Sequence, residues 1–83
     1  MPSYGQTRLS NIWDMLNNCA KDRHRVVAKE HYYWVYFNGK QAPFKLPRGE
    51  HGRRDPETEL GHVKKIVRYG DIKMDCAKQF VPI

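Results

Sequence analysis

What the chain lacks narrows the classes of protein to which it can belong. No stretch approaches the roughly 18 to 20 apolar residues of a membrane-spanning helix, and residues 1–6 lack the apolar core of a signal peptide. We therefore expect a cytoplasmic protein without a membrane partner. Its only cysteines, Cys19 and Cys76, are far apart and form no CxxC pair. Because two cysteines make no disulfide framework, we expect both to be packing residues in a reducing compartment.

Common enzyme motifs are also missing. The sequence contains no GxxxxGK phosphate loop and no GxSxG turn, so nucleotide hydrolysis and serine esterase chemistry have no motif to support them. Glu59 and His62 have the spacing of one helix face, but no HExxH motif or second histidine cluster accompanies them. We expect no metal and no cofactor, and we find no internal repeat.

Positive charge is the most prominent feature that is present. Fifteen Lys and Arg against nine Asp and Glu give a formal net charge of +6 in 83 residues. A nucleic acid, an anionic membrane surface and an acidic protein all suit such a charge. With 40% hydrophobic and 12% aromatic residues, the chain has the composition of a folded protein, and its length predicts one domain over residues 1–83.

Two segments show the apolar spacing of amphipathic helices. The first covers residues 8–20, with Thr7 or Ser10 as its cap. The second has Thr58 as its cap and ends near Tyr69-Gly70, where glycine can take the left-handed conformation. The apolar positions of the two stripes are Leu9, Ile12, Trp13, Leu16, Leu60, Val63, Ile66 and Val67.

Between these helices, the sequence predicts three strands. Residues 25–28, 31–37 and 42–46 are the candidates, because Val, Tyr, Trp and Phe favour strands. Asn38-Gly39 predicts a type I′ hairpin turn, and Pro43 suggests that the last strand lies at an edge or begins late.

The fold class that follows is α+β, in the order α-β-β-β-α. Two apolar stripes and a short sheet bury one another if both helices pack on one face of a three-stranded antiparallel sheet. Residues 47–56 read as a mobile, basic loop. Residues 71–83 form a C-terminal extension that can hold a short helix through Met74 and Ala77, and its apolar end should pack on the domain or meet a partner.

Alternation along the aromatic strand predicts two apolar faces. One face belongs to the core, and the other either stacks on unpaired bases, covers a thin core, or lies beneath the C-terminal extension. The two sets are His31, Tyr33, Val35 and Phe37 on one face, and Tyr32, Trp34 and Tyr36 on the other.

His31 is the candidate catalytic residue. It stands beside Glu30 at the head of the central strand, where a strand would hold it rigidly. Imidazole suits proton transfer near neutral pH, although a single histidine is also a common surface residue. A larger set of basic residues suits phosphate contact, or else forms an ordinary solvated surface. These candidates for nucleic-acid binding are Arg25, Lys29, Lys45, Arg48, Arg53, Arg54, Lys64, Lys65 and Arg68.

Several local strings resemble the HicA family of toxins, small proteins with a double-stranded-RNA-binding-like fold. Lys29-Glu30-His31 falls where that family has Gly-Ser-His, and Leu46-Pro47-Arg48 falls where it has Val-Pro. Residues 63–72 resemble its second-helix signature, Leu-x-x-Ile-x-x-x-x-Gly-Ile, with an extra residue before the isoleucine. The resemblance covers residues 8–72 and leaves residues 73–83 as an extension.

The resemblance implies a ribonuclease that cleaves messenger RNA without a metal, with His31 as general acid or base. It also implies an antitoxin of HicB type, or another acidic protein, as a partner that blocks the active surface. Glu30 and Lys29 depart from the family's Ser and Gly, and a carboxylate there can repel phosphate or indicate a fold that has lost its chemistry.

Three functions therefore remain open. The first is the toxin-type ribonuclease. The second is a non-catalytic module of the same fold that holds RNA or DNA. The third is a small viral or mobile-element protein that binds an acidic host protein through its basic surface or its apolar end.

Overall fold

The computed structural model describes residues 5–48 and 56–83, and in them the chain forms an α+β fold. A π-helical turn at Leu16–Ala20 and a 3₁₀ turn at Lys21–Arg23 connect the first helix to the second strand. The elements are β1 (Gln6–Arg8), α1 (Leu9–Met15), β2 (His24–Ala28), β3 (Tyr32–Phe37), β4 (Phe44–Pro47), β5 (Glu57–Glu59), α2 (Leu60–Tyr69) and α3 (Met74–Ala77).

The predicted three-stranded sheet is confirmed. It is antiparallel with the order β2-β3-β4, so the aromatic strand β3 is central. The register pairs Val26 with Val35 across one edge of β3 and Tyr33 with Leu46 across the other. Because paired residues share a face, the pairing fixes which side chains of the three strands lie together.

The core lies between one face of this sheet and the helices, as predicted. Val35 and Leu46 of the sheet, Ile12 of α1 and Ile66 of α2 are all fully buried in one cluster. We call the side of the sheet that carries these residues the inner face. The alternation of β3 then places its other side chains on the opposite, outer face.

A second, two-stranded sheet was not predicted. Strand β1 pairs antiparallel with β5, with Thr7 opposite Thr58, and each strand continues directly into a helix. The backbone N–H of Leu9 donates to the Pro56 carbonyl at 2.9 Å, and the N–H of Leu60 donates to the Gly5 carbonyl at 3.2 Å. The two strand–helix segments therefore match each other, and both contain a short Thr-x-Leu pattern.

The predicted helix caps were wrong because the threonines lie in strands. Neither α1 nor α2 has a side-chain cap, and their cap positions are the extended residues Arg8 and Glu59. The Thr7 hydroxyl instead accepts a hydrogen bond from Asn11 Nδ2 at 3.1 Å. Thr58 is buried as the partner of Thr7 in the small sheet.

Two predicted glycine conformations need correction. At the hairpin, Lys40 N–H donates to the Phe37 carbonyl at 3.0 Å, and only Gly39 (φ 77°) of the two central residues has positive φ, as in a type II turn rather than type I′. Helix α2 ends at Tyr69 as expected, but Gly70 has φ −83° and Asp71 (φ 54°) takes the left-handed conformation. Gly70 instead makes room, since a Cβ there would lie 2.5 Å from the Phe37 ring.

The expectation that both cysteines are free packing residues was also wrong. Cys19 and Cys76 form a disulfide, with a Cα–Cα distance of 5.9 Å across a sequence separation of 57 residues. The C-terminal extension folds back onto the turn that follows α1, which brings the two sulfur atoms together. The short helix predicted there is confirmed as α3, and Ala77 and Val81 are buried in the main core.

No helix in the described part of the chain has the length and apolar character needed to cross a membrane.

Candidate nucleic-acid interface

Three aromatic side chains of β3 lie on the outer face of the sheet. Tyr32, Trp34 and Tyr36 alternate with inner-face residues and are absent from the buried cluster that joins the sheet to the helices. Tyr32 is 45% exposed, and Trp34 and Tyr36 are half-buried. Of the interpretations left open for this face, burial beneath the C-terminal extension is excluded, because Ala77 and Val81 pack in the inner-face core.

Two cations from the neighbouring strands lie over these rings. Arg25 of β2 is paired with Tyr36, and its Cζ is 4.6 Å from the centroid of that ring. Lys45 of β4 is paired with Trp34, and its Nζ is 5.3 Å from the Trp34 ring and 5.1 Å from the Tyr32 ring. These are cation–π distances, and the register of the sheet creates them.

We call this set of residues, Arg25, Tyr32, Trp34, Tyr36 and Lys45, the aromatic ladder. Strands β2, β3 and β4 contain no Asp or Glu, so no carboxylate of these strands offsets the two cations. The ladder therefore presents aromatic surface and positive charge together, which are the two features that bind bases and phosphates.

His31 is not held in the central strand as predicted. It lies in the bend between β2 and β3, because Lys29 N–H donates to the Tyr32 carbonyl at 2.8 Å and closes the hairpin before β3 begins. The His31 side chain is 61% exposed, and its Nε2 is 3.8 Å from Glu30 Oε1. In sequence it directly precedes Tyr32, the first ring of the aromatic ladder.

The predicted phosphate contacts Lys29 and Arg48 lie around the same bend. Lys29 is exposed there, and the Arg48 guanidinium donates a hydrogen bond to the Lys29 carbonyl. The Arg48 Cζ is also 5.4 Å from the centroid of Tyr33, an inner-face ring that packs edge-on against Trp13. Arg48 therefore helps to hold the hairpin end against the inner face, and it is not part of the ladder.

Three further predicted residues lie away from the ladder. Lys64, Lys65 and Arg68 are exposed on α2, which packs on the inner face of the sheet. They form a second basic surface on the helical side of the molecule. Arg53 and Arg54 lie outside the described residues.

Glu59 and His62 have the sequence spacing of one helix face, but they do not form a cluster of metal ligands. His62 Nε2 donates to the Lys45 carbonyl at 2.8 Å, and its ring packs edge-on against Phe44 with centroids 5.8 Å apart. These contacts join α2 to β4. Residues 5–48 and 56–83 contain no group of three His, Cys, Asp or Glu side chains that could hold a metal ion.

Of the candidates for nucleic-acid binding predicted from the sequence, Arg25 and Lys45 belong to the ladder, and its three rings were one of the two faces of β3 for which base stacking was left open. The alternation of Tyr32, Trp34 and Tyr36 was the available signal, but either face of the strand could have belonged to the core. Only the positions of the helices show which face of β3 belongs to the core.

No protein-family model, curated protein or solved structure matches this chain. The fold and the site define a small α+β domain whose open sheet face carries aromatic rings and cations. Membership of the HicA family stays a prediction from the sequence.

Proposed function

We propose that this protein binds RNA through the aromatic ladder on the outer face of its sheet. The observation that carries the proposal is the placement of Arg25 and Lys45 over rings that face away from the core. Lysine and arginine neutralise phosphates, and exposed rings stack on bases. A surface that offers both suits nucleic acid, which presents bases and phosphates together.

The preference for RNA over DNA has separate support. The strings around His31, Leu46-Pro47-Arg48 and residues 63–72 resemble a family that acts on messenger RNA. The same resemblance supports an acidic antitoxin as a protein partner, which would compete with RNA for the basic surface.

Two pairs of substitutions with equal change in charge test which surface binds RNA. Arg25→Ala with Lys45→Ala, and Lys64→Ala with Lys65→Ala, each remove two positive charges and take the formal net charge from +6 to +4. The first pair should weaken RNA binding about tenfold or more and lower the salt dependence of log K by roughly 1 for each lost phosphate contact. The second pair should have a much smaller effect.

Filter binding or fluorescence anisotropy at several salt concentrations measures both quantities, and circular dichroism checks the fold of each variant. An equal loss in the two pairs would mean that binding follows net charge and not the ladder. A larger loss in the α2 pair would place the RNA on the helical side.

A second candidate function, RNA cleavage, is favoured by the position of His31. His31 lies in the bend before Tyr32, and its Nε2 is 3.8 Å from Glu30 Oε1, so two groups that can transfer protons lie side by side. In metal-independent cleavage the 2′-oxygen attacks the phosphorus and the bond to the 5′-oxygen breaks. One group takes the proton of the 2′-hydroxyl, and another gives a proton to the leaving 5′-oxygen.

Cleavage and binding are separated by His31→Ala and His31→Gln in the purified protein. If His31 is catalytic, both variants should lose cleavage of an RNA oligomer while its affinity stays within about threefold, because the ladder is intact. An oligomer with a 2′-deoxy group at the cleaved position should resist the wild-type protein. Cleavage at the wild-type rate by His31→Ala would remove His31 from the chemistry.

A further inference from the structure

We infer that the aromatic ladder takes unpaired, extended RNA about three nucleotides long, with one base on each ring. This inference rests on the proposed function and specifies the form of RNA that the surface accepts. Three features of the ladder support it. They are the spacing of its rings, the position of its cations, and the partial burial of its side chains in the sheet.

The first feature is the distance between successive rings. Tyr32, Trp34 and Tyr36 are two residues apart on one strand, so their Cα atoms follow one another at about 6.6 Å. Stacked bases in a duplex strand follow one another at about 3.4 Å. The positions that carry the rings are therefore about twice as far apart as stacked bases, which suits a strand whose bases are spread, each stacking on a ring of its own.

The second feature is where the positive charges lie. Lys45 Nζ is almost equally distant from the Tyr32 and Trp34 rings, at 5.1 and 5.3 Å. The phosphate that links two bases on those rings would pass close to this ammonium group. Arg25 lies over Tyr36 from the opposite neighbouring strand, so a base that stacks on one of these rings has to displace the cation above it, which can then meet a phosphate.

The third feature argues against a duplex. Trp34 and Tyr36 are half-buried side chains of a sheet, and they do not project as a helix or an arm would. A duplex encloses the faces of its bases and shows only their edges in the grooves, whereas unpaired bases can be splayed out onto aromatic side chains. The ladder offers a platform for base faces, and in RNA the unpaired nucleotides present those faces.

Tryptophan fluorescence can report on the ladder directly. The chain contains two tryptophans, Trp13 and Trp34, so Trp13→Phe leaves Trp34 as the only indole. This variant is titrated with unstructured, pyrimidine-rich RNA oligomers of increasing length and with an RNA hairpin whose stem has the same number of phosphates. We expect single strands to quench Trp34, with affinity that rises steeply up to about three nucleotides and slowly beyond that. The hairpin stem should quench weakly.

Tyr36 supplies the matched pair of substitutions. Tyr36→Ala removes a ring and should weaken single-strand binding about 5- to 150-fold, whereas Tyr36→Phe keeps the ring and should stay within about twofold of the parent. Arg25→Ala should lower the salt dependence as well as the affinity, which separates phosphate contact from stacking.

The outcomes distinguish this inference from the function on which it rests. If the hairpin binds as tightly as the single strand and Tyr36→Ala has no effect, while Arg25→Ala weakens both, the outer face binds RNA without stacking and the inference fails. If neither RNA binds or quenches, the proposed function fails together with the inference.

Discussion

The two faces of the three-stranded sheet differ in their neighbours more than in their own side chains. Strand β3 supplies aromatic residues to both, with Tyr33 and Phe37 on the inner face and Tyr32, Trp34 and Tyr36 on the outer face. The inner rings meet other rings and aliphatic side chains from the helices, while the outer rings meet Arg25 and Lys45. Similar residues therefore serve stability on one face and, in our proposal, binding on the other.

The largest expected effect comes from truncating a residue of the inner-face core. Ile66→Ala should lower the free energy of unfolding by about 2 to 5 kcal/mol, because Ile66 is fully buried and its loss leaves a cavity. Tyr32→Ala on the outer face should lower it by less than about 1 kcal/mol, since Tyr32 is 45% exposed. Urea unfolding followed by circular dichroism measures both.

An equal loss of stability in Tyr32→Ala and Ile66→Ala would contradict this difference between the two faces. The outer rings would then be structural, and the case for an exposed binding surface would weaken.

The disulfide should contribute nearly as much to the free energy of unfolding as a buried residue of the inner-face core. It closes a loop of 57 residues and attaches α3 to the turn after α1, so its reduction should lower stability by about 2 to 4 kcal/mol. The double variant Cys19→Ser, Cys76→Ser should be as unstable without reductant as the reduced wild type, and insensitive to dithiothreitol. Thermal unfolding with and without dithiothreitol tests this.

RNA affinity should respond differently from stability when the disulfide is reduced. Reduction should leave it unchanged as long as the protein stays folded, because the disulfide lies on the helical side and the ladder on the outer face. A parallel loss of affinity and stability would show that the two faces are coupled.

Substitutions at two glycines of the helical side should have smaller effects on stability, with opposite signs. Gly70→Ala should destabilise by about 1 to 3 kcal/mol, because its Cβ would lie 2.5 Å from the Phe37 ring that closes the inner face. Gly61→Ala in α2 meets no atom within 4 Å and should stabilise by about 0.5 to 1 kcal/mol. Equal effects of the two substitutions would mean that helix propensity, and not contact with Phe37, decides them.

Local patterns predicted most of the fold. Apolar spacing gave α1 and α2, alternation and turn residues gave the sheet, and Met74 and Ala77 indicated α3. Features that depend on long-range contact were missed. Strands β1 and β5 are three residues each and exist only by pairing with one another, so neither shows a strand pattern of its own. The disulfide joins residues whose distance in space is unrelated to their separation in sequence.

The candidate site was predicted less completely for the same reason. Charge identified Arg25 and Lys45, but it equally identified Lys64, Lys65 and Arg68, which the fold places on the other side of the molecule. His31 was assigned to β3 because its neighbours favour strands. The hydrogen bond from Lys29 to Tyr32 ends the pairing first and leaves His31 in the bend.

The most direct test of the central claim is to map RNA contacts by NMR, because a protein of 83 residues gives resolved spectra. Titration with unpaired RNA should shift the indole signal of Trp34 and the amides of Arg25, Tyr36 and Lys45, and leave those of α2 unchanged. Shifts confined to Lys64, Lys65 and Arg68, with the Trp34 indole unmoved, would contradict binding at the outer face.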